Sequence, residues 1–164
     1  MKRIFAVVLC LFVLFSLVSC DEGNNTVEKV KLEVDFTFNL SRSSNSKVCM
    51  NTNLPVGTKL DVDIFVGDLY HSKETVEVKA DIETNYFITE PQLDTNGETV
   101  KDGNYILSVV LVDPAKQSEE VRAVIGQNGE KLSGIYTYET EKGKTVKLLR
   151  PIVKKKDFFS MPDN

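Results

Sequence analysis

Val30-Lys31-Leu32-Glu33-Val34-Asp35-Phe36-Thr37-Phe38-Asn39-Leu40 alternates apolar and polar residues over eleven positions without a break. Successive side chains on an extended strand point to opposite faces, so this stretch predicts a strand with one dry face and one wet one. A helix, with its period of about 3.6, would mix the two sets. The alternation returns at Leu60, Val62, Ile64 and Val66, with Asp61 and Asp63 between them, and again at Val76, Val78, Ala80 and Ile82. Residues 47–52 and 86–89 add two shorter strands. Residues 105–112 are apolar at nearly every position, which marks a central strand or one covered on its outer face.

Residues 116–126 supply that cover as the one short helix. Ser118 can cap it, Glu119 and Glu120 suit its first turn, and Val121, Val124 and Ile125 make an apolar stripe before Gly126 stops it. Residues 134–140 and 145–153 form a hairpin across Glu141-Lys142-Gly143-Lys144. Asn53-Leu54-Pro55-Val56-Gly57, Asn96-Gly97, Asp102-Gly103 and Asn128-Gly129 all fall between the runs, where turn chemistry belongs. The reading is all-β: an antiparallel β-sandwich of about seven or eight strands with one short helix, spanning residues 27–153, with 154–164 as a C-terminal tail. Asp102-Gly103-Asn104-Tyr105 ahead of an apolar strand resembles the strand start of bacterial immunoglobulin-like and fibronectin-like modules. Residues 52–60 are similar to a Leu-Pro-x-Gly-Thr turn found in small extracytoplasmic sandwiches. Both resemblances imply architecture and no activity.

The amino terminus is of another kind. Of the first twenty residues sixteen are apolar, and the only charges are Lys2 and Arg3. The apolar stretch from Ile4 to Leu17 would cover about 21 Å as a helix, short of a bilayer core of ~30 Å, which is the pattern of an export signal. Leu17-Val18-Ser19-Cys20 resembles the bacterial lipobox. That resemblance implies a signal peptide over residues 1–19, cleavage between Ser19 and Cys20, and a diacylglyceryl group on the Cys20 sulfur. Residues 20–26 then form the lipidated cysteine and a polar tether, in which 21–26 reach at most about 22 Å.

After position 20 the chain carries 18 basic and 24 acidic side chains, which argues against a nucleic-acid partner. One His, no Trp and a single later Cys also argue against dense metal sites and a disulfide framework. His71 lacks the company of a Gly-x-Ser-x-Gly element and reads as an exposed loop residue. Cys49 has no partner once Cys20 is acylated and reads as a small buried hydrophobe. Asp61, Asp63 and Asp68 read as solvated acids. Asp94, Asn96, Glu98 and Asp102 are the weak candidates for a calcium loop, although Glu98 comes too early for the EF-hand spacing. Lys154-Lys155-Lys156 with Phe158 and Phe159 form a basic aromatic tail that either lies on an anionic bilayer or is a solvated end with Phe158 or Phe159 packed on the sandwich. Tyr136 and Tyr138 share a face that is either core or a small recognition surface.

The expected protein is therefore a non-enzymatic, cofactor-free lipoprotein. Acylated Cys20 would anchor it to the extracytoplasmic face of a bacterial membrane, and it would act as a binding or assembly module for a protein or envelope partner. The alternative is capture and delivery of a small ligand or metal, which needs a concave pocket lined by Tyr105, Tyr136 and Tyr138 or by residues 94–102.

Overall fold

In the computed structural model, which describes residues 30–162, the nearly continuous apolar run becomes the central strand β7 (Gly103–Leu111). It lies between β4 (Lys59–Val66) and β10 (Gly143–Lys155), antiparallel to both. The sheet continues to β5 (Tyr70–Glu77) beyond β4 and to β11 (Phe158–Ser160) beyond β10, with β9 (Thr137–Thr140) on the other end of β10. A second antiparallel sheet holds β2 (Phe36–Phe38), β3 (Cys49–Thr52) and β6 (Asn85–Ile88). β1 (Leu32–Glu33) and β8 (Leu132–Ser133) make a short parallel pair. The architecture is an all-β sandwich with one α-helix among the described residues, α1 (Glu119–Ile125).

The core lies between the two sheets. Tyr105, Leu107, Val109 and Leu111 point into it from β7, Leu60, Val62 and Ile64 from β4, and Val146, Leu148 and Ile152 from β10. The smaller sheet contributes Phe36, Met50 and Phe87, with the rings of Phe36 and Phe87 edge to face at 6.4 Å. Alternation along β4, and along β10 except at the exposed Arg150, thus sends apolar side chains out of water, each contributing about 1.5–3 kcal/mol.

The opening run is a strand only in pieces. Its dry set is real from Leu32 to Phe38, but the Asp35 N–H bonds the Asn53 side chain and the Asp35 carboxylate accepts the N–H of Phe36. Those bonds break the ladder, so β1 pairs with β8 while β2 pairs with β3. Val30 is 89% exposed, beyond the last pairing. The run at 76–82 is likewise corrected. Val76 and Val78 are buried, but the strand is β5, which precedes and includes Val76, and Ile82 is 98% exposed on the following turn.

The helix forms where its signals put it, with Ser118 accepting the Val121 N–H and Gly126 ending it at φ 94°. Its expected position over the outer face of β7 is wrong. The buried side chain of Gln117 accepts the Lys59 N–H and donates to the carbonyls of Lys59 and Val112, stitching the segment to the ends of β4 and β7. Val121 and Ile125 therefore plug one end of the core, and Val124 is left partly exposed. The hairpin of β9 and β10 turns on Glu141 and Lys142. A methyl group at Gly143 or Gly129 would strike backbone of Asn128 or Lys144, so close approach as well as positive φ requires glycine at both.

Residues 154–160 are no loose tail. Lys154 and Lys155 end β10, Lys156 makes the turn, and β11 returns with Phe159 fully buried. Lys154 is 3% exposed; its ammonium donates to the Lys156 carbonyl and lies 3.5 Å from Asp102, whose carboxylate also accepts the Lys156 N–H.

The strands define two ends. The chain joins the fold at Leu32, which bonds the Lys131 carbonyl between α1 and β8, near the loop at 53–58; this is the near pole. The turns at 66–70, 93–102 and 155–158 gather at the far pole, with nine residues of β7, about 30 Å, between the two. Leu107→Ala should cost about 2–5 kcal/mol in urea denaturation, because its cavity opens in the middle of the core. Leu149→Ala, exposed on β10, should stay within about 0.5 kcal/mol of the parent. Ser118→Ala should cost about 1 kcal/mol through the lost helix cap.

Candidate functional site

The far pole contains a cleft of about 400 Å³, bounded by the β4–β5 turn on one side and the 93–101 loop on the other. Val66, Leu69, Tyr70, Val100, Lys101 and Tyr105 line it, with Asp94 and Thr95 at one rim. Two other hollows of about 450 Å³ each, beside Phe65 and His71 and between Pro114 and the β9–β10 turn, are more open to solvent.

The floor of the cleft is aromatic and fixed. The Tyr70 and Tyr105 rings meet edge to face at 5.8 Å, and Phe159 packs against Tyr105 in the same manner at 5.8 Å. The Tyr105 hydroxyl donates to the Lys101 carbonyl at 2.7 Å, and the Tyr70 hydroxyl donates to the Gln92 side-chain oxygen at 3.0 Å. Gln92, itself buried, donates in turn to Glu74 at 3.3 Å and to the Glu90 carbonyl at 2.9 Å. Burial raises the Glu74 carboxyl above its ordinary range, while the hydrogen bonds from Glu90 and Gln92 pull it back. Burial likewise raises both tyrosine hydroxyls, so they stay protonated as donors. A chain of satisfied hydrogen bonds in a low dielectric holds a side chain in one rotamer.

The rim is of a different character. Leu69 sits at the tip of a tight turn and is 91% exposed. Across from it, Asp94 Oδ1 accepts the N–H groups of Asn96 at 2.8 Å and Glu98 at 3.1 Å, and the loop closes through the Leu93–Thr99 bridge with Gly97 at φ 79°. The Lys101 ammonium has no ion-pair partner among the described residues.

Asp94, Asn96, Glu98 and Asp102 do not converge as a calcium loop requires. The Asp94 carboxylate is spent on its own turn and the Asp102 carboxylate on the β10–β11 turn, and no metal-holding group of carboxylates, His or Cys occurs among the described residues. Tyr105 lines the cleft; Tyr136 and Tyr138 do not. Tyr136 packs edge to face on Phe36 at 5.4 Å, whereas Tyr138 is exposed on β9, so the two do not act as one face.

His71 is exposed as expected but lies on β5 rather than in a loop. It sits opposite Phe65, its ring 6.2 Å away and its Nε2 3.5 Å from Asp63. Asp61 accepts the Thr75 hydroxyl at 2.7 Å, and Asp68 lies at the β4–β5 turn. Beyond them, Phe65, Ile106 and Pro151 form a partly apolar row across the outer face of the larger sheet. Ser19, Cys20 and the tether lie outside the described residues. Sequence reasoning missed Leu69, Tyr70 and Lys101, whose only signal was an apolar residue in a turn otherwise rich in Gly and Asp.

Cys49 is fully buried beneath the 39–46 loop, where its N–H donates to the Ser43 hydroxyl. Arg42 spans this loop, pairing with Asp81 at 2.7 Å and lying 4.3 Å over the Tyr86 ring. Burial, with a smaller push from Asp81 against the pull of Arg42, raises the thiol from 9.0 to about 11.

No protein-family model, curated protein or solved structure matches this chain.

Two measurements check the thiol. At neutral pH, labelling of Cys49 in the native protein should proceed no faster than unfolding, since the thiol is buried and protonated. Because the folded value is raised, the associated stabilisation is complete below about pH 9 and lost as the pH climbs towards 11. Cys49→Ala should therefore show a shallower fall in melting temperature across that window than the parent.

Proposed function

We propose that the chain is a lipid-anchored extracytoplasmic lipoprotein, acylated at Cys20 after cleavage behind Ser19, that works as a non-enzymatic binding module. The observation that carries this reading is the separation of the two poles. The chain enters the sandwich at the near pole, while the cleft, with Leu69 on its rim, opens at the far one. A lipid on Cys20 and a short tether would hold the near pole at the headgroups and turn the cleft away from the bilayer. Two or three acyl chains suffice for stable anchoring, because each buried CH₂ adds about 0.8 kcal/mol.

An exposed leucine on a rigid turn is the kind of group a protein or envelope partner covers. Small-ligand capture and delivery is the second reading. The volume of the cleft, within the usual range of about 300–1,000 Å³, favours it. The buried Lys154 withdraws one cation from the basic run, which weakens a separate membrane contact there.

Protein purified from membranes of its native cells should begin at Cys20 with the added mass of a diacylglyceryl group, and Cys20→Ala should move it to the soluble fraction. A photocrosslinker in place of Val30 should capture phospholipid, and one in place of Leu69 should capture a non-lipid partner. An unmodified Cys20 would overturn the anchoring, and lipid captured equally at both positions would overturn the orientation.

A further inference from the structure

The far-pole cleft has three properties that together specify a ligand chemistry. Its floor is made of aromatic rings whose hydroxyls are already engaged within the fold, so they offer apolar surface more than free polar groups. Its walls are Val66, Val100 and the exposed Leu69. Its charged groups are unequal: Asp94 is engaged by two backbone N–H donors, whereas the Lys101 ammonium has no partner among the described residues.

We infer that the cleft binds an apolar carboxylate, with an aromatic or branched side chain lodged over Tyr70 and Tyr105 beneath Leu69 and the carboxylate paired with Lys101. The volume of about 400 Å³ is ample for one such residue. Two sources carry this chemistry, a free hydrophobic acid and the C-terminal residue of a peptide. Both place one negative charge next to one apolar group, which is the complement of a cleft lined by Lys101 on one side and Leu69 on the other.

The energetic argument follows from preorganisation. Tyr105 is locked between Phe159 and the Lys101 carbonyl, and Tyr70 by the Gln92–Glu74 chain, so the floor loses little rotamer freedom when a ligand arrives. Covering Leu69 removes apolar surface from water that the fold itself leaves exposed. The carboxylate adds a charge-assisted hydrogen bond at the edge of this apolar site, where the lysine bears no competing partner among the described residues.

This inference rests on the binding-module reading but is independent of lipidation. The full mature chain, in detergent, is titrated by two-dimensional NMR with three probes: N-acetyl-phenylalanine, N-acetyl-phenylalanine amide, and the peptide Ser-Gly-Gly-Phe with a free C-terminus. The expected result is saturable shifts at Leu69, Val100 and Lys101 for one or both carboxylates, with the amide weaker by about tenfold. Leu69→Ser and Lys101→Gln, both at exposed positions, should each weaken the carboxylate by a similar factor without lowering the melting temperature. A peptide that outbinds the free acid identifies a chain terminus as the source, and the reverse identifies a free acid. Equal binding of acid and amide, shifts centred elsewhere, insensitivity to both substitutions, or no saturation through the low-millimolar range overturns the inference. None of those results bears on the state of Cys20, which the mass measurement decides.

Discussion

Burial of one face of β7 is the constraint from which the rest of the structure follows. Tyr105, Leu107, Val109 and Leu111 all point inward from a strand whose edges are taken by β4 and β10. Removing those side chains from water requires a lid, and the three strands of the smaller sheet supply it through Phe36, Met50 and Phe87. Register is then fixed, because slipping β10 by one residue would turn Leu148 and Ile152 to solvent and bring Leu149 and Pro151 inside. The ends of the sandwich must close as well. Val121 and Ile125 of α1 do so at the near pole, and the Tyr70, Tyr105 and Phe159 cluster does so at the far pole.

That second closure links fold to site. Tyr105 is at once the first buried inward residue of β7 and the floor of the cleft, so the cleft is as rigid as the core it terminates. The rigidity is extended by polar bonds where apolar packing stops. Gln92 connects Tyr70 to Glu74 and to the 90–92 backbone, and Asp102 ties the β10–β11 turn to the start of β7. Two of the carboxylates that looked like a ligand set, Asp94 and Asp102, instead satisfy backbone N–H groups that a tight loop would otherwise leave unpaired.

The site was less legible than the sheet for a physical reason. Alternation reports burial along one strand, but a cleft is made by side chains from different loops that meet only in three dimensions. Leu69 and Lys101 are 32 positions apart and neither belongs to an alternating run. Tyr105 was visible as an aromatic at the head of an apolar strand, whereas Tyr136 and Tyr138, equally visible, were drawn apart when Tyr136 turned onto Phe36. His71 shows the same limit, because its place on β5 depends on pairing with β4 and not on its neighbours in the chain.

The sequence by itself determined the all-β class, the centrality of residues 105–112, and the helix with its Ser118 cap and Gly126 stop, because each follows from local period or local hydrogen bonding. It also determined the hairpin across Glu141 and Lys142. Only the tertiary structure decided that residues 30–40 divide between two sheets, since Asp35 finds its partner in Asn53, eighteen residues away. It likewise decided that Gln117 draws the helix to the strand ends and that Lys154 and Phe159 belong to the sheet. In the first two cases a bond to a residue distant in the chain outweighs the local preference, and in the third Phe159 is held against Tyr105, also distant in the chain.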